Sequence, residues 1–300
     1  SLLFWFLEYR KGLSLRDTSI NLIRKIISYD TTSRNSNLEL IHFIRDYLKD
    51  LGIESLLVHD DAGTKANLYA TLGPADRPGI LLSGHTDVVP IDGQDWHTDP
   101  FNVVEKDAKL FGRGTCDMKS FVAICLAYAP KFLERGLKIP IHFAFSHDEE
   151  VGCVGVRTLI AKLANEIQPK PMMCIVGEPT LMQVIIGHKG KMSYQCHVRG
   201  LEAHSSLAPQ GVNAVEYAAE LIAYLKGMAR RIQQEGPFDD LYDINHTTVH
   251  TGTVQGGTAL NIVPKDCSFE FEFRCIAGHD GRELYEEVVR HAREVCLLYT

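Results

Sequence analysis

The chain has 300 residues, 45% of them hydrophobic and 23% charged, with a formal net charge of −7 and a pI near 6.0. This balance excludes a disordered, fibrous or collagen-like chain and leaves room for two ordinary globular domains. No basic run or stripe is present, which argues against a nucleic-acid partner.

The first stretch, SLLFWFLEYRKG, is apolar but too short to span a bilayer. It lacks the basic leader and small-residue cleavage site of a signal peptide, so residues 1–15 are read as lying outside the domain proper. A helix is predicted over 18–28. Asn35 and Ser36 can cap another, whose apolar face is Leu38, Ile41, Ile44, Leu48 and Leu51 and whose stop is Gly52. Short strands follow at 55–59, 67–71 and 80–82, the last almost wholly apolar and therefore expected to be buried on both faces. A helix over 118–133, a strand at 141–145, a helix near 154–164 and a strand at 172–176 continue the alternation. The longest internal apolar run, 121–130, has the length of a core helix and not of a membrane span, so no membrane partner is expected. Strands alternating with helices predict an α/β layer with a mostly parallel sheet flanked by helices.

After Gly187 the texture changes. Met192, Tyr194, Cys196 and Val198 alternate with polar residues, as in a half-buried strand. A long helix over 212–231 presents Val215, Ala219, Ile222 and Leu225 on one face. A strand at 249–254 is next, then one in which Phe269, Phe271 and Phe273 point one way and Glu270, Glu272 and Arg274 the other. A helix over 282–295 closes the order β-α-β-β-α, a ferredoxin-like unit without its last strand. The expected division is 16–186 and 187–300. Eight cysteines, at 116, 125, 153, 174, 196, 267, 275 and 296, include no C-x-x-C pair, and several sit in apolar runs. They predict reduced, buried thiols in a cytoplasmic protein.

Four acidic or histidine positions fall at or just after the C-terminal ends of predicted strands, where open α/β sheets place ligands. In SGHTDVVP, His85 and Asp87 lie two apart and point to one side of extended backbone. That spacing suits a histidine on a metal with a carboxylate steadying its other ring nitrogen; a polar turn is the plainer reading. In FGRGTCDMKS, Gly112 and Gly114 allow a sharp turn before Asp117, either a helix cap or a carboxylate bridging two metals. SHDEEVGC sets Asp148, Glu149 and Glu150 side by side; adjacent residues diverge, so one can face a metal and the next a water. Otherwise the run is a solvated acidic loop, the reading kept for Asp148. In CIVGEPT, Glu178 follows an apolar strand. One histidine and three carboxylates at successive strand ends outline a site suited to zinc, cobalt or manganese.

The blocks SGHTDVVP, GRGTCDMK, DEEVGC, VGEPT and EAHSS resemble the signature of the M20 family of co-catalytic metallopeptidases and deacylases. RNSNLELI, GHKGKMSY, HSSLAPQGVNAVEYA and QGGTALNIVP are similar, more narrowly, to its acetylornithine deacetylase branch. The resemblance implies a zinc-exopeptidase-like catalytic domain with an inserted ferredoxin-like α+β lid that also mediates dimerisation. It implies two divalent ions, zinc or cobalt, and hydrolysis of a small N-acylated amino acid. His85 would bind one ion, oriented by Asp87; Asp117 would bridge; Glu150 would bind the second ion and Glu178 the first; Glu149 would be the general base. The Asp117–Met118 bond is a candidate cis peptide by the same analogy. His204 would stabilise the oxyanion from the partner subunit of a homodimer, and Asn261 and Arg274 would hold the substrate carboxylate. Without the family, these three read as a surface histidine, a loop amide and a strand ion pair with Glu270 or Glu272.

The family's fifth metal ligand is a histidine beyond the lid, whereas this sequence stops at Thr300. His279 and His291 lie in a turn and on a lid helix and do not match it. The expectation is therefore an incomplete deacetylase chain. Alternatives are a succinyl-diaminopimelate desuccinylase, another aminoacylase or carboxypeptidase of the family, an inactive fragment, or a metal-free binding protein that kept the fold.

Overall fold

A computed structural model describes residues 14–297. They form two compact units, one ending at Gln183 and the other starting at Val184.

The first unit opens with helix α1 (Leu15–Ile27), whose first turn is capped by Ser14 accepting from the Asp17 amide. The helix thus starts three residues before the predicted 18, and Leu15 packs on the core; residues 1–13 lie outside the described residues. Helix α2 (Leu38–Asp50) buries Leu40, Ile41, Ile44, Tyr47 and Leu48. Its N-cap is Asn37, but the Asn37 side chain makes no cap bond. That side chain instead reaches Ala66 O and Thr86 Oγ1, both at 2.9 Å, and Ser36 Oγ takes the Leu38 amide.

Strands β1 (Ser55–His59), β2 (Ala66–Leu72), β3 (Ile80–His85), β6 (Ile141–Ser146) and β7 (Met173–Val176) make one sheet in the order β1-β2-β6-β3-β7. The pairings β6/β3 and β3/β7 are parallel; β1/β2 and β2/β6 are antiparallel, so β2 alone runs against the other four. A short hairpin, β4 (Val104–Lys106) and β5 (Lys109–Phe111), carries no alternation long enough to have predicted it.

Helices α1, α2 and α3 (Lys119–Glu134) cover one face of the sheet over Ile26, Ile44, Val122, Leu126, Phe143 and Phe145. Helix α4 (Val156–Glu166) covers the other, over Tyr69, Ala144 and Leu159. Strands β2 and β6 are buried nearly throughout. Against expectation, β3 is half-buried over 80–83; the edge strand β7 is exposed along its length. A strand needs neighbours on both sides as well as both faces to be buried, and β7 has one. Phe143 is fully buried; Phe143→Ala should cost about 3–5 kcal/mol, measurable by denaturant unfolding with an unchanged slope.

The second unit follows the order β8 (Gly190–Arg199), α5 (Ala214–Glu235), β10 (Thr248–Gly256), β12 (Asp266–Cys275), α6 (Gly281–Leu297). Among the described residues its main sheet has three strands, β10-β12-β8, all antiparallel. A two-strand ribbon of β9 (Ala203–His204) and β11 (Ile262–Val263) was not legible from sequence. Phe269, Phe271 and Phe273 face α5 and α6, as their alternation predicts. The buried face of α5, however, is Ala214, Ala218, Leu221, Leu225, Met228 and Ile232, one residue round from the predicted stripe; Val215 is exposed. Both stripes obey the helical period, and the sheet selects the one whose alanines let the helix approach closely.

The eight cysteines form no disulfide, but Cys116, Cys153, Cys174 and Cys296 are exposed rather than buried as expected. Among the described residues no helix is long and apolar enough to cross a membrane.

Candidate active site

Parallel pairing of β6, β3 and β7 brings their C-terminal ends to one edge of the sheet. His85 ends β3, the middle of the three. The acidic run follows β6, and Glu178 lies two residues after β7. Around the Nε2 atom of His85 stand Asp117 Oδ1 at 3.1 Å, Glu178 Oε1 at 3.8 Å and Glu149 Oε2 at 3.9 Å. Among the described residues, one group of possible metal ligands has its donor atoms all within 4.8 Å of one another: His85, Asp117 and Glu150.

Glycines make the approach possible. A Cβ on Gly177 would sit 2.1 Å from the Phe121 ring, and Gly114 adopts φ +85° where a Cβ would meet Lys119 and Val88 at 2.9 Å. Larger residues would displace Glu178 and the turn before Asp117. Met118, not Asp117, is the N-cap of α3, so the carboxylate is not spent on a cap. The Asp117–Met118 peptide is cis.

His85 and Asp87 are both 2% exposed. His85 Nδ1 bonds the Asp87 carbonyl oxygen at 2.9 Å, with the Asp87 carboxylate 3.5 Å away. The carboxylate accepts from Ser33 Oγ at 2.8 Å, the Glu149 amide at 3.0 Å and the Glu150 amide at 3.2 Å. Asp87 therefore links the histidine to the backbone that carries both glutamates. Burial alone would raise the Asp87 pKa, but hydrogen bonds from His85, Glu149 and Ser33 hold it below the usual carboxylate range. Burial opposes a proton on His85, yet the hydrogen bonding and charge of Asp87, with the charge of Glu178, carry its pKa up to about 9. Burial, then the charge of Asp117, pushes Glu150 up to about 7. A histidine that holds its proton so firmly, beside a carboxyl that resists ionisation, marks a site short of positive charge. Imidazole and carboxylate oxygens are the donors that zinc and cobalt accept, so the residues fit the metal that their pattern implies.

Sequence reasoning missed several residues here. Asp148 is not a solvated loop acid: its carboxylate and the Lys65 ammonium pair at 2.5 Å with side chains 14% and 15% exposed. His147 Nδ1 lies 3.1 Å from the other Asp148 oxygen. Lys119 is fully buried, donates to Tyr29 O and Thr31 Oγ1, and is pulled down to about 7 by that burial. Cys153 donates to Glu149 Oε1 at 3.2 Å. Ser33 lies 54 residues from Asp87 and Lys65 lies 83 from Asp148, and no local pattern marks either as part of the site.

The remaining predicted residues are in the second unit. His204 is exposed on β9, with Nδ1 engaged by the hydroxyl and amide of Ser206. Asn261 is exposed, and its carbonyl takes the Ser205 amide at 3.0 Å. Arg274 donates through Nε to Glu272 at 2.8 Å, the strand ion pair that its position on β12 allows. His279 bonds Thr247, and His291 stacks on Tyr224.

A profile of "Peptidase family M20/M25/M40" matches residues 81–295. The chain belongs to the M20 family. It is 35% identical over 269 residues to an acetylornithine deacetylase of Proteus mirabilis (strain HI4320), covering 87% of this chain and 68% of that protein. It is 34% identical over 248 residues to an acetylornithine deacetylase of Pasteurella multocida (strain Pm70), covering 82% and 63%. The chain thus spans about two thirds of the length of these M20 relatives. Its fold is shared with an M20 family metallo-carboxypeptidase of Sulfolobus solfataricus, at TM-score 0.76 and 18% identity over 92% of this chain and 75% of that one. A dinuclear metal-binding M20 peptidase of Bacillus subtilis aligns at TM-score 0.62 and 20% identity, covering 95% and 71%.

Proposed function

We propose that the protein hydrolyses the amide of N2-acetyl-L-ornithine to acetate and L-ornithine, in the cytoplasm and as a homodimer. The observation that carries the chemistry is the convergence of His85, Asp117 and Glu150, with Glu149 and Glu178 beside them, on the end of one strand. The choice of substrate rests on the two deacetylases that the chain resembles.

His85, Asp117, Glu150 and Glu178 would hold two divalent ions, zinc or cobalt. Ions bound there would polarise the scissile carbonyl and lower the pKa of a water. Glu149 takes a proton from the attacking water and later gives it to the leaving amine. The water oxygen first bonds the carbonyl carbon, and the C–N bond then breaks as the amine takes the proton, so the water's two halves end on acetate and amine. Asp87 keeps His85 in one orientation throughout. His204 as the oxyanion donor, and Asn261 and Arg274 as carboxylate partners, belong to the same reading and rest on resemblance alone.

The test is acetate release from N-acetylornithine by zinc- or cobalt-loaded protein, beside N-succinyl-diaminopimelate and a dipeptide. The highest kcat/KM is expected for N-acetylornithine. Preference for either other substrate overturns the deacetylase assignment.

Metal binding should depend on pH. A ligand atom must lose its proton to bind, and affinity rises about tenfold per pH unit for each proton displaced. Glu150 titrates at about 7 and His85 at about 9 in the metal-free protein. Zinc affinity should therefore climb about 100-fold per unit below pH 7 and about tenfold per unit from 7 to 9, then level off. Chelator competition across that range measures it; a flat profile would remove both groups from the ligand set.

A further inference from the structure

The acidic run at 148–150 is held from two sides. Asp87 grips the amides of Glu149 and Glu150. Asp148, the preceding residue, is gripped by Lys65, whose ammonium also donates to the Ser33 carbonyl at 2.5 Å. Ser33 returns to Asp87 through its hydroxyl at 2.8 Å. The contacts close a ring: Asp87 to Ser33, Ser33 to Lys65, Lys65 to Asp148, and Asp148 through the chain back to the amides on Asp87. Ser33 lies 54 residues from Asp87 and 32 from Lys65, and Lys65 lies 83 from Asp148, so the ring ties together four separate stretches.

The ring is anchored and largely dry. The Ser33 amide donates to Val88 O and the Val88 amide to Thr31 O, which fixes the 31–33 segment along the strand-end turn of His85. Asp148 sits at φ +54°, a conformation that aspartate tolerates better than most residues but that needs support from its surroundings. The ion pair to Lys65 supplies that support. A like-charged run would otherwise splay, because Glu149 and Glu150 repel each other and Asp148.

We propose that Ser33, Lys65 and Asp148 are positioning residues, a closed latch that fixes the 149–150 backbone and so aims Glu149 and Glu150. The proposal rests on the reading of those two glutamates as base and ligand. Groups that orient metal ligands from behind are typically worth about 10- to 100-fold in metal affinity or activity.

The variants Ser33→Ala and Lys65→Met open the ring at different points, while Ser33→Thr and Lys65→Arg keep the donors. In metal-free protein, amide hydrogen exchange over 147–155 should speed up in Ser33→Ala and Lys65→Met. In zinc-loaded protein, both should lose about 10- to 100-fold in zinc affinity and in kcat, with KM for N-acetylornithine little changed. The double variant should lose less than the product of the two, because one break already opens the ring. Ser33→Thr should recover most of the loss.

A folded Ser33→Ala protein with wild-type exchange, zinc affinity and kcat overturns the latch. So does a lower melting temperature with the other three unmoved, since that is support without aiming. If Lys65→Met does not fold, Ser33→Ala, which removes a single oxygen, decides alone. If the wild type leaves N-acetylornithine uncleaved while exchange and zinc affinity still shift in the variants, the substrate assignment falls and the latch stands.

Discussion

Replacing Glu149 with glutamine should lower kcat by about 100- to 10,000-fold while the protein keeps its metal. The carboxylate lies 3.9 Å from His85 Nε2, outside the group whose donor atoms cluster most tightly, so it stands near the reacting centre without being needed to fill it. Glutamine preserves its size and can still accept the Cys153 thiol contact. What it cannot do is take a proton from water. Metal content by mass spectrometry and turnover on the same preparation measure the two effects separately. Turnover near wild type would remove Glu149 as the base; loss of metal together with turnover would make it a ligand instead.

Asp87→Ala should act on stability and metal together. The side chain is buried, and its loss leaves the Ser33 hydroxyl and the amides of Glu149 and Glu150 without their acceptor. Removing one partner of a buried charged pair costs about 3–5 kcal/mol, because the groups left behind stay dehydrated. His85 keeps its bond to the backbone carbonyl at position 87, so the imidazole is held, but more loosely. Zinc affinity should fall about 10- to 100-fold. Denaturant unfolding without metal and chelator competition with it give the two numbers. A variant that unfolds like wild type would mean that water reaches the three donors; unchanged zinc affinity would mean that Asp87 does not orient His85.

Most of the first unit was legible because its signals are local. Alternating short apolar runs and amphipathic stretches place the strands and helices to within a few residues; strand ends supply the addresses of His85, Glu149, Glu150 and Glu178, and the glycine turn before a helix supplies that of Asp117. The phenylalanine alternation in β12 likewise gave its face correctly. The face of α5 was off by one residue because two stripes satisfy the same period, and the choice depends on how near the sheet lets the helix come. The burial of β3, which has a paired strand on each side, was overestimated because an apolar run shows that a strand can be buried, not that other elements cover both of its faces.

Asp148 shows the limit most sharply. In sequence it is one of three adjacent acids and reads as solvated; in the fold it is paired with Lys65, 83 residues away, and supports the two acids that follow. Ser33, Lys65 and Asn37 are ordinary polar residues in their own stretches and acquire meaning only through what lies across from them. The sequence by itself determined the family, the alternating layer and the identity of the ligand-type side chains, since motif residues and periodicity are written along the chain. Tertiary structure alone decided how those side chains are aimed, because aiming depends on buried hydrogen bonds between segments that share no local pattern, and such bonds gain their hold where dehydration removes the competing water.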